Sequence, residues 1–227
     1  VKQVSFSVFA LSLSVASNAA VVGLAYDLKT GELIYTETHA YDAPYHTVEY
    51  HDPKGALFAT KLLDYRDSSH APAFEQINQL RGEVIRTKVD GSTLTLSYQA
   101  SSDTKVDNAT FPITNNLIVD AGFDQYVKAN WQQLSEGKPL EIDYLVPSRA
   151  SVVPFSVGAV DCLARTPAQA RCFAITPEAW WLRMIVDPII IAYDDTPRLL
   201  RFTGRGNIAN QDGAYQSVDI FYQYEEN

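Results

Sequence analysis

The sequence predicts a mainly β, α+β protein: a strongly curved antiparallel sheet or open barrel with about two covering helices. Three observations predict it. Short segments alternate apolar and polar residues with period two, punctuated by turn chemistry such as Lys29-Thr30-Gly31, Asp52-Pro53-Lys54-Gly55 and Asp90-Gly91. Helical spacing is confined to two stretches, near 121–136 and 177–186. After the N-terminal segment, no linker, low-complexity tract or repeat divides the chain.

Taken in order, the first element is an export signal. Lys2 supplies a positive start, Val4 to Val15 an apolar run, and Ser17-Asn18-Ala19-Ala20 a small-residue cleavage pattern. Residues 1–19 therefore read as a removable signal peptide, too short for a comfortable membrane span. Residues 20–227 read as a single antiparallel β domain, soluble once exported, periplasmic or secreted, with no transmembrane segment in the mature form. Neither cysteine lies near the cleavage site, so no thiol there can carry a lipid.

Val22, Leu24 and Tyr26, then Leu33, Tyr35 and Glu37, form a hairpin around Gly31. Tyr45 to His51 and Ala56 to Tyr65 are the next strands, and Asp67 to Ala73 a polar connection. Glu83 to Val89 and Thr93 to Tyr98 flank Asp90-Gly91, whose residues tolerate the positive φ of a tight hairpin turn. Phe123, Tyr126, Val127, Trp131 and Leu134 recur at helical spacing, with Asp120 placed to cap the start and Gly137 and Pro139 to stop it. Thr176-Pro177-Glu178 reads as the cap and first turn of a second helix, apolar nearly all round, ending at Asp187-Pro188. Ile189 to Tyr193, Leu199 to Thr203 and Val218 to Tyr224 close the domain, giving about nine or ten strands.

Charge narrows the function classes. The whole chain carries 27 acidic and 18 basic side chains, and losing Lys2 makes the mature form one unit more acidic still. That balance disfavours nucleic acid, whose phosphates demand concentrated Lys and Arg, and disfavours docking on anionic lipid. Arg198, Arg201 and Arg205 make only a short basic strip. The two cysteines, Cys162 and Cys172, flank the polar tip Arg165 to Ala170 between two predicted strands. A disulfide there clamps a hairpin and adds about 2–3 kcal/mol by restricting the unfolded chain. Redox pairs use the shorter Cys-x-x-Cys loop.

No catalytic residue, metal-ligand set or cofactor is predicted. His39, His46 and His51 cluster with Asp42, Glu49 and Asp52, but His46 and His51 are five apart and face opposite sides of a strand. They read as surface strand residues. There is no Gly-x-Ser-x-Gly elbow, Ser69-His70 sits in a loop, and Asp194-Asp195 before Thr196-Pro197 is turn chemistry. Gly204-Arg205-Gly206 reads as a turn or bulge, because no helix follows it to complete a phosphate cradle.

Aromatic content points further. Thirteen Tyr, ten Phe and three Trp are many for this length, and Trp180-Trp181 sits on the apolar helix. Curved sheets with a helix at the mouth are common containers for apolar ligands. The expected ligand contacts are Trp180, Trp181, Arg183 and Met184, with Arg183 able to meet a ligand carboxylate or phosphate. The partner is then a lipid or other apolar small molecule. The alternative is an envelope protein–protein interaction or structural module without a ligand cavity, docking through a sheet edge or aromatic surface.

The run from Tyr35-Thr36-Glu37-Thr38-His39 through Leu199-Leu200-Arg201-Phe202-Thr203-Gly204 to Ile220-Phe221-Tyr222 resembles a group of uncharacterised exported proteins of Gram-negative bacteria. That group carries no assigned activity, so the resemblance implies a compartment and no functional residue. In architecture alone, the element order is similar to the open half-barrels of periplasmic lipoprotein carriers. That likeness implies a curved sheet holding an acyl chain beneath helices; a disulfide hairpin before the apolar helix departs from it.

Overall fold

The computed structural model describes residues 21–181 and 188–225. Its N-terminal half is a meander of hairpins: β1 (Val21–Asp27), β2 (Leu33–Asp42), β3 (Tyr45–His51), β4 (Leu57–Asp64), β5 (Ala73–Asn78), β6 (Glu83–Asp90), β7 (Thr93–Gln99) and β8 (Asp107–Pro112). Turn chemistry sets the reversals. Asp52 Oδ1 accepts the N–H groups of Lys54 and Ala56, and Gly91 supplies φ +57° between β6 and β7. A two-residue β9 (Leu117–Ile118) leads into α1 (Gly122–Ala129) and α2 (Trp131–Ser135). Then follow β10 (Leu140–Val146), β11 (Ser151–Val160), β12 (Arg171–Pro177), β13 (Ile189–Tyr193), β14 (Leu199–Ala209) and β15 (Tyr215–Tyr224).

These strands form one 15-stranded sheet in the order β8-β7-β6-β5-β4-β3-β2-β1-β15-β14-β13-β12-β11-β10-β9. Every pairing is antiparallel except β9 with β10. The sheet is strongly curved, and the proof lies in contacts between strands far apart in that order. Gln76 Nε2 and Asn78 Nδ2 on β5 donate to Asn207 O and Ala209 O on β14, at 3.0 and 2.7 Å. Leu94 and Leu96 of β7 pack in one cluster with Leu117 of β9 and Leu145 of β10, so the two ends of the sheet meet through side chains. The fold class expected from alternation and turns is the one observed.

Three apolar clusters fill the concave side. The α1–α2 pair covers β10–β13, with Trp131 edge-on to Phe173 and Tyr193 at 5.8 Å each. The start of α1 is pressed close to the loop before β5: a Cβ at Gly122 would lie 2.3 Å from His70 O, which only glycine avoids. The convex side is polar over β3, β6 and β7, where Thr47, Glu49, Arg86, Lys88 and Thr95 are exposed. A wall facing lipid tails needs the reverse pattern. Among the described residues, no helix is long and apolar enough to cross a membrane.

Several expectations change. The sheet has fifteen strands, not nine or ten. Ala73 to Asn78, β8 and β9 carry little apolar–polar alternation in their polar or short sequences; β10, Leu140–Val146, does alternate and is an element the sequence reading missed. The helix expected over 177–186 does not begin there. Thr176 and Pro177 are the last residues of β12, paired with Ser156 and Phe155, and Glu178 N–H donates to Pro154 O. Ladder pairing with β11 overrides the Thr-Pro-Glu cap signature, and 178–181 form a bend and turn. Residues 182–187 lie outside the described residues. The two α-helices among the described residues both fall within 121–136, separated at Asn130. Asp120 does not cap α1; Ala121 occupies that position without a side-chain cap.

Candidate functional site

The concave face holds a polar seam where β2, β3 and β4 meet β15 and α1. Alternation along β2 puts Tyr35, Glu37, His39 and Tyr41 on one face, and the register Tyr41↔His46 and His39↔Val48 brings His46 beside them. Glu37 Oε2 accepts from His39 Nε2 at 3.1 Å and from the Tyr222 hydroxyl at 3.2 Å. His39 Nδ1 faces His46 Nε2 at 2.9 Å, and the Tyr41 ring stacks on His46 with centroids 4.1 Å apart. His46 is buried, and burial first, then His39 and the nearby Lys61 and Lys128, push its pKa down to about 3. It is therefore neutral near pH 7. Glu37 and His46 are 3% and 4% exposed, so the expected surface role for these histidines is corrected: His39 and His46 point inward. Only His51 stays at the rim, 3.7 Å from Glu49.

Two neighbouring contacts complete the seam. Lys61 Nζ donates to both Asp120 oxygens at 2.7 Å, a buried bridge spanning 59 residues. Asp120 reaches it from a left-handed backbone, φ +47°, while also accepting the Ala121 N–H. The Tyr193 hydroxyl donates to Asp124 Oδ1 at 3.2 Å. Burial first, then Asp124 and its neighbours, raises the Tyr193 phenol far above its usual range, and burial does the same for Tyr222. The seam can hold and orient protons; among the described residues it contains no group of three or more side chains placed to hold a metal ion.

The sequence-predicted contacts lie elsewhere. Trp180 and Trp181 stand on the turn after β12, 73% and 52% exposed. They do not seal the concave side; α1 and α2 do that. Arg183 and Met184 lie outside the described residues. Near that turn an open cleft of about 660 Å³ is lined by Tyr126, Asn130 and Gln133 of the helix pair and by Leu140, Glu141, Ser156 and Glu178.

The expected disulfide is present, with Cys162 and Cys172 bonded at 2.06 Å. Its loop folds over the convex face. Arg201 forms a two-pronged pair with Asp219 at 2.6 and 2.8 Å, and its remaining donors reach Ala164 O and Thr166 Oγ1 of the loop. Asp194 and Asp195 are turn residues as expected, closing on Thr196, Arg198 and Arg171. The arginines after Pro197 form no free basic strip: Arg198 pairs with Asp194, Arg201 with Asp219, and Arg205 lies over Tyr215.

A curved, helix-filled, barrel-like sheet with a polar convex wall is the class of protein these observations define. No protein-family model matches the chain, and no curated protein matches it. Among solved structures it is similar to the β-barrel-like protein of domain of unknown function DUF1849 from Brucella abortus. That likeness has a TM-score of 0.51 at 9% identity and covers 92% of this chain and 95% of that one. At that identity it establishes shared fold alone.

Proposed function

We propose that this chain is an exported periplasmic protein of the Gram-negative envelope that holds a lipid or other apolar molecule at the mouth of its curved sheet, without a chemical step of its own. Trp180, Trp181, Arg183 and Met184 are the proposed contacts. The observation that carries the reading is the adjacent indole pair, exposed at 73% and 52%. Large aromatic surface left in water is what an apolar guest would cover, at roughly 25 cal/mol per Å². Further support comes from the N-terminal segment over 1–19 and from the disulfide, which suits an oxidising compartment. The concave side under the helices is filled by apolar clusters, so the guest sits at the rim beside the Trp turn.

Two measurements test this. Native mass spectrometry of the mature protein purified from a periplasm is expected to show a bound apolar mass. Titration with the fluorescent fatty acid cis-parinaric acid is expected to saturate, with affinity reduced about tenfold in the W180A/W181A double variant, the loss of roughly one well-packed aromatic contact. A ligand-free mass together with no saturable uptake of the probe overturns the reading.

A further inference from the structure

Most polar side chains inside the sheet are partnered, and the exceptions cluster. Four buried side-chain atoms among the described residues meet no hydrogen-bonding group of the protein: Tyr35 Oη, Gln76 Oε1, Glu83 Oε2 and Ser135 Oγ. Ser135 lies apart, on α2. The other three stand on the concave face where β2, β5 and β6 look across to β14, and their residues are only 4%, 1% and 2% exposed. Burying such atoms bare costs their hydration with no return.

Register brings the three together. Asn78 pairs with Glu83, and Gln76 shares a face with Asn78, so Gln76 and Glu83 are diagonal neighbours. Diagonal neighbours on adjacent strands stand about 7–8 Å apart, within reach of two long side chains. Both extend toward one stretch of β14 and β15. Gln76 Nε2 donates to Asn207 O at 3.0 Å, and Glu83 Oε1 accepts from the Tyr215 hydroxyl at 2.6 Å and the Tyr98 hydroxyl at 3.2 Å. Tyr35 arrives one residue from Asn207: a Cβ on Gly206 would lie 3.4 Å from the Tyr35 hydroxyl. Asn78 is the finished version of Gln76. Its Nδ2 donates to Ala209 O at 2.7 Å and its Oδ1 accepts the Leu80 N–H at 3.1 Å, whereas Gln76 has the first kind of bond and lacks the second.

The unmet atoms are of matching kind. Gln76 Oε1 and a carboxylate oxygen of Glu83 can only accept, and the Tyr35 hydroxyl can donate or accept. A small group with two protons to give and lone pairs to receive suits all three, and water is that group. The side chains between them are small: Ala25 pairs with Tyr35, Ala59 pairs with Asn78, and Gly206 has none.

We propose that ordered water is built into this junction, donating to Gln76 Oε1 and Glu83 Oε2 and bonding the Tyr35 hydroxyl, so that β5 and β14 are joined through solvent as well as by direct bonds. The site is separate from the apolar guest at the Trp turn, and its test does not depend on that reading.

Water-selective NOE and ROE spectra of the 15N-labelled mature chain test it. The buried Gln76 side-chain amide is expected to show a cross-peak to water, with the sign of a molecule that tumbles with the protein. Y35F is expected to lower the folding equilibrium constant about fivefold in urea denaturation, the loss of one net hydrogen bond. A hydroxyl without a partner behaves the opposite way, because deleting it removes a desolvation cost. Urea midpoints in sodium, potassium and choline chloride at one ionic strength are expected to coincide. No water cross-peak at Gln76, a Y35F variant as stable as the parent or more so, or a midpoint raised by sodium or potassium alone overturns the proposal; the last outcome makes the junction a site for a monovalent cation.

Discussion

His39 and His46 meet head to head. Their facing nitrogens are 2.9 Å apart while the ring centroids are 5.2 Å apart, so the contact runs along the line joining the rings and holds one proton between two nitrogens. The far nitrogen of His39 is anchored on buried Glu37. In a 15N-labelled sample a scalar coupling between His39 Nδ1 and His46 Nε2 is expected, and its loss in H39Q. Two independently tumbling, solvent-exchanging rings would refute the pairing.

Acid should destabilise the protein through His46. Its pKa falls from the usual 6.5 to about 3 on folding, so the unfolded chain binds a proton that the folded one refuses. This contribution is fully present above pH 6.5 and is lost as the pH falls toward 3, at up to about 1.4 kcal/mol per pH unit. Urea midpoints between pH 7 and pH 4 measure it. H46Q is expected to flatten that slope; an unchanged slope removes His46 from the account.

Lys61 and Asp120 form an ion pair that neither residue can leave alone. Lys61 has a side chain only 2% exposed, so K61M strands a carboxylate and is expected to cost about 3–5 kcal/mol. K61M/D120N, which removes the stranded charge, is expected to be more stable than K61M. Urea denaturation of both variants decides it, and a double variant no better than K61M counts against a buried pair.

The three tryptophans should separate cleanly. Trp131 is wedged against Phe173 and Tyr193, and W131A is expected to cost about 3 kcal/mol or more. Trp180 and Trp181 face water, so W180A and W181A are expected to stay within about 0.5 kcal/mol of the parent. Thermal melts monitored by far-UV circular dichroism test the contrast.

Much of the strand pattern was legible. The hairpins around Gly31 and Asp90-Gly91, the strand Ile189–Tyr193, the first helix and the Cys162–Cys172 bridge could be read because each is set by residues close in sequence. The polar seam could not be read, because it is assembled by register: Glu37 and His39 become neighbours of His46 and Tyr222 only once β2 pairs with β3 and β15 is laid beside β1. One signal was available. Glu37 and His39 share the parity of buried Tyr35, and that parity turns them toward the concave side. Asp120 looked like a cap because its partner lies 59 residues away. Thr176-Pro177 looked like a helix start because local preference is silent about a waiting β11.

The way β7 and the β9–β10 end of the sheet come together carries a mechanical consequence. They join by apolar side chains, with Leu94, Leu96, Leu117 and Leu145 as the fastening, whereas every internal junction is a ladder. Apolar surfaces slide and part at lower cost than rows of hydrogen bonds. Closure along this one line therefore rests on side-chain packing and on the Val119 N–H to His70 O bond, while the fourteen strand pairings carry the rest of the wall.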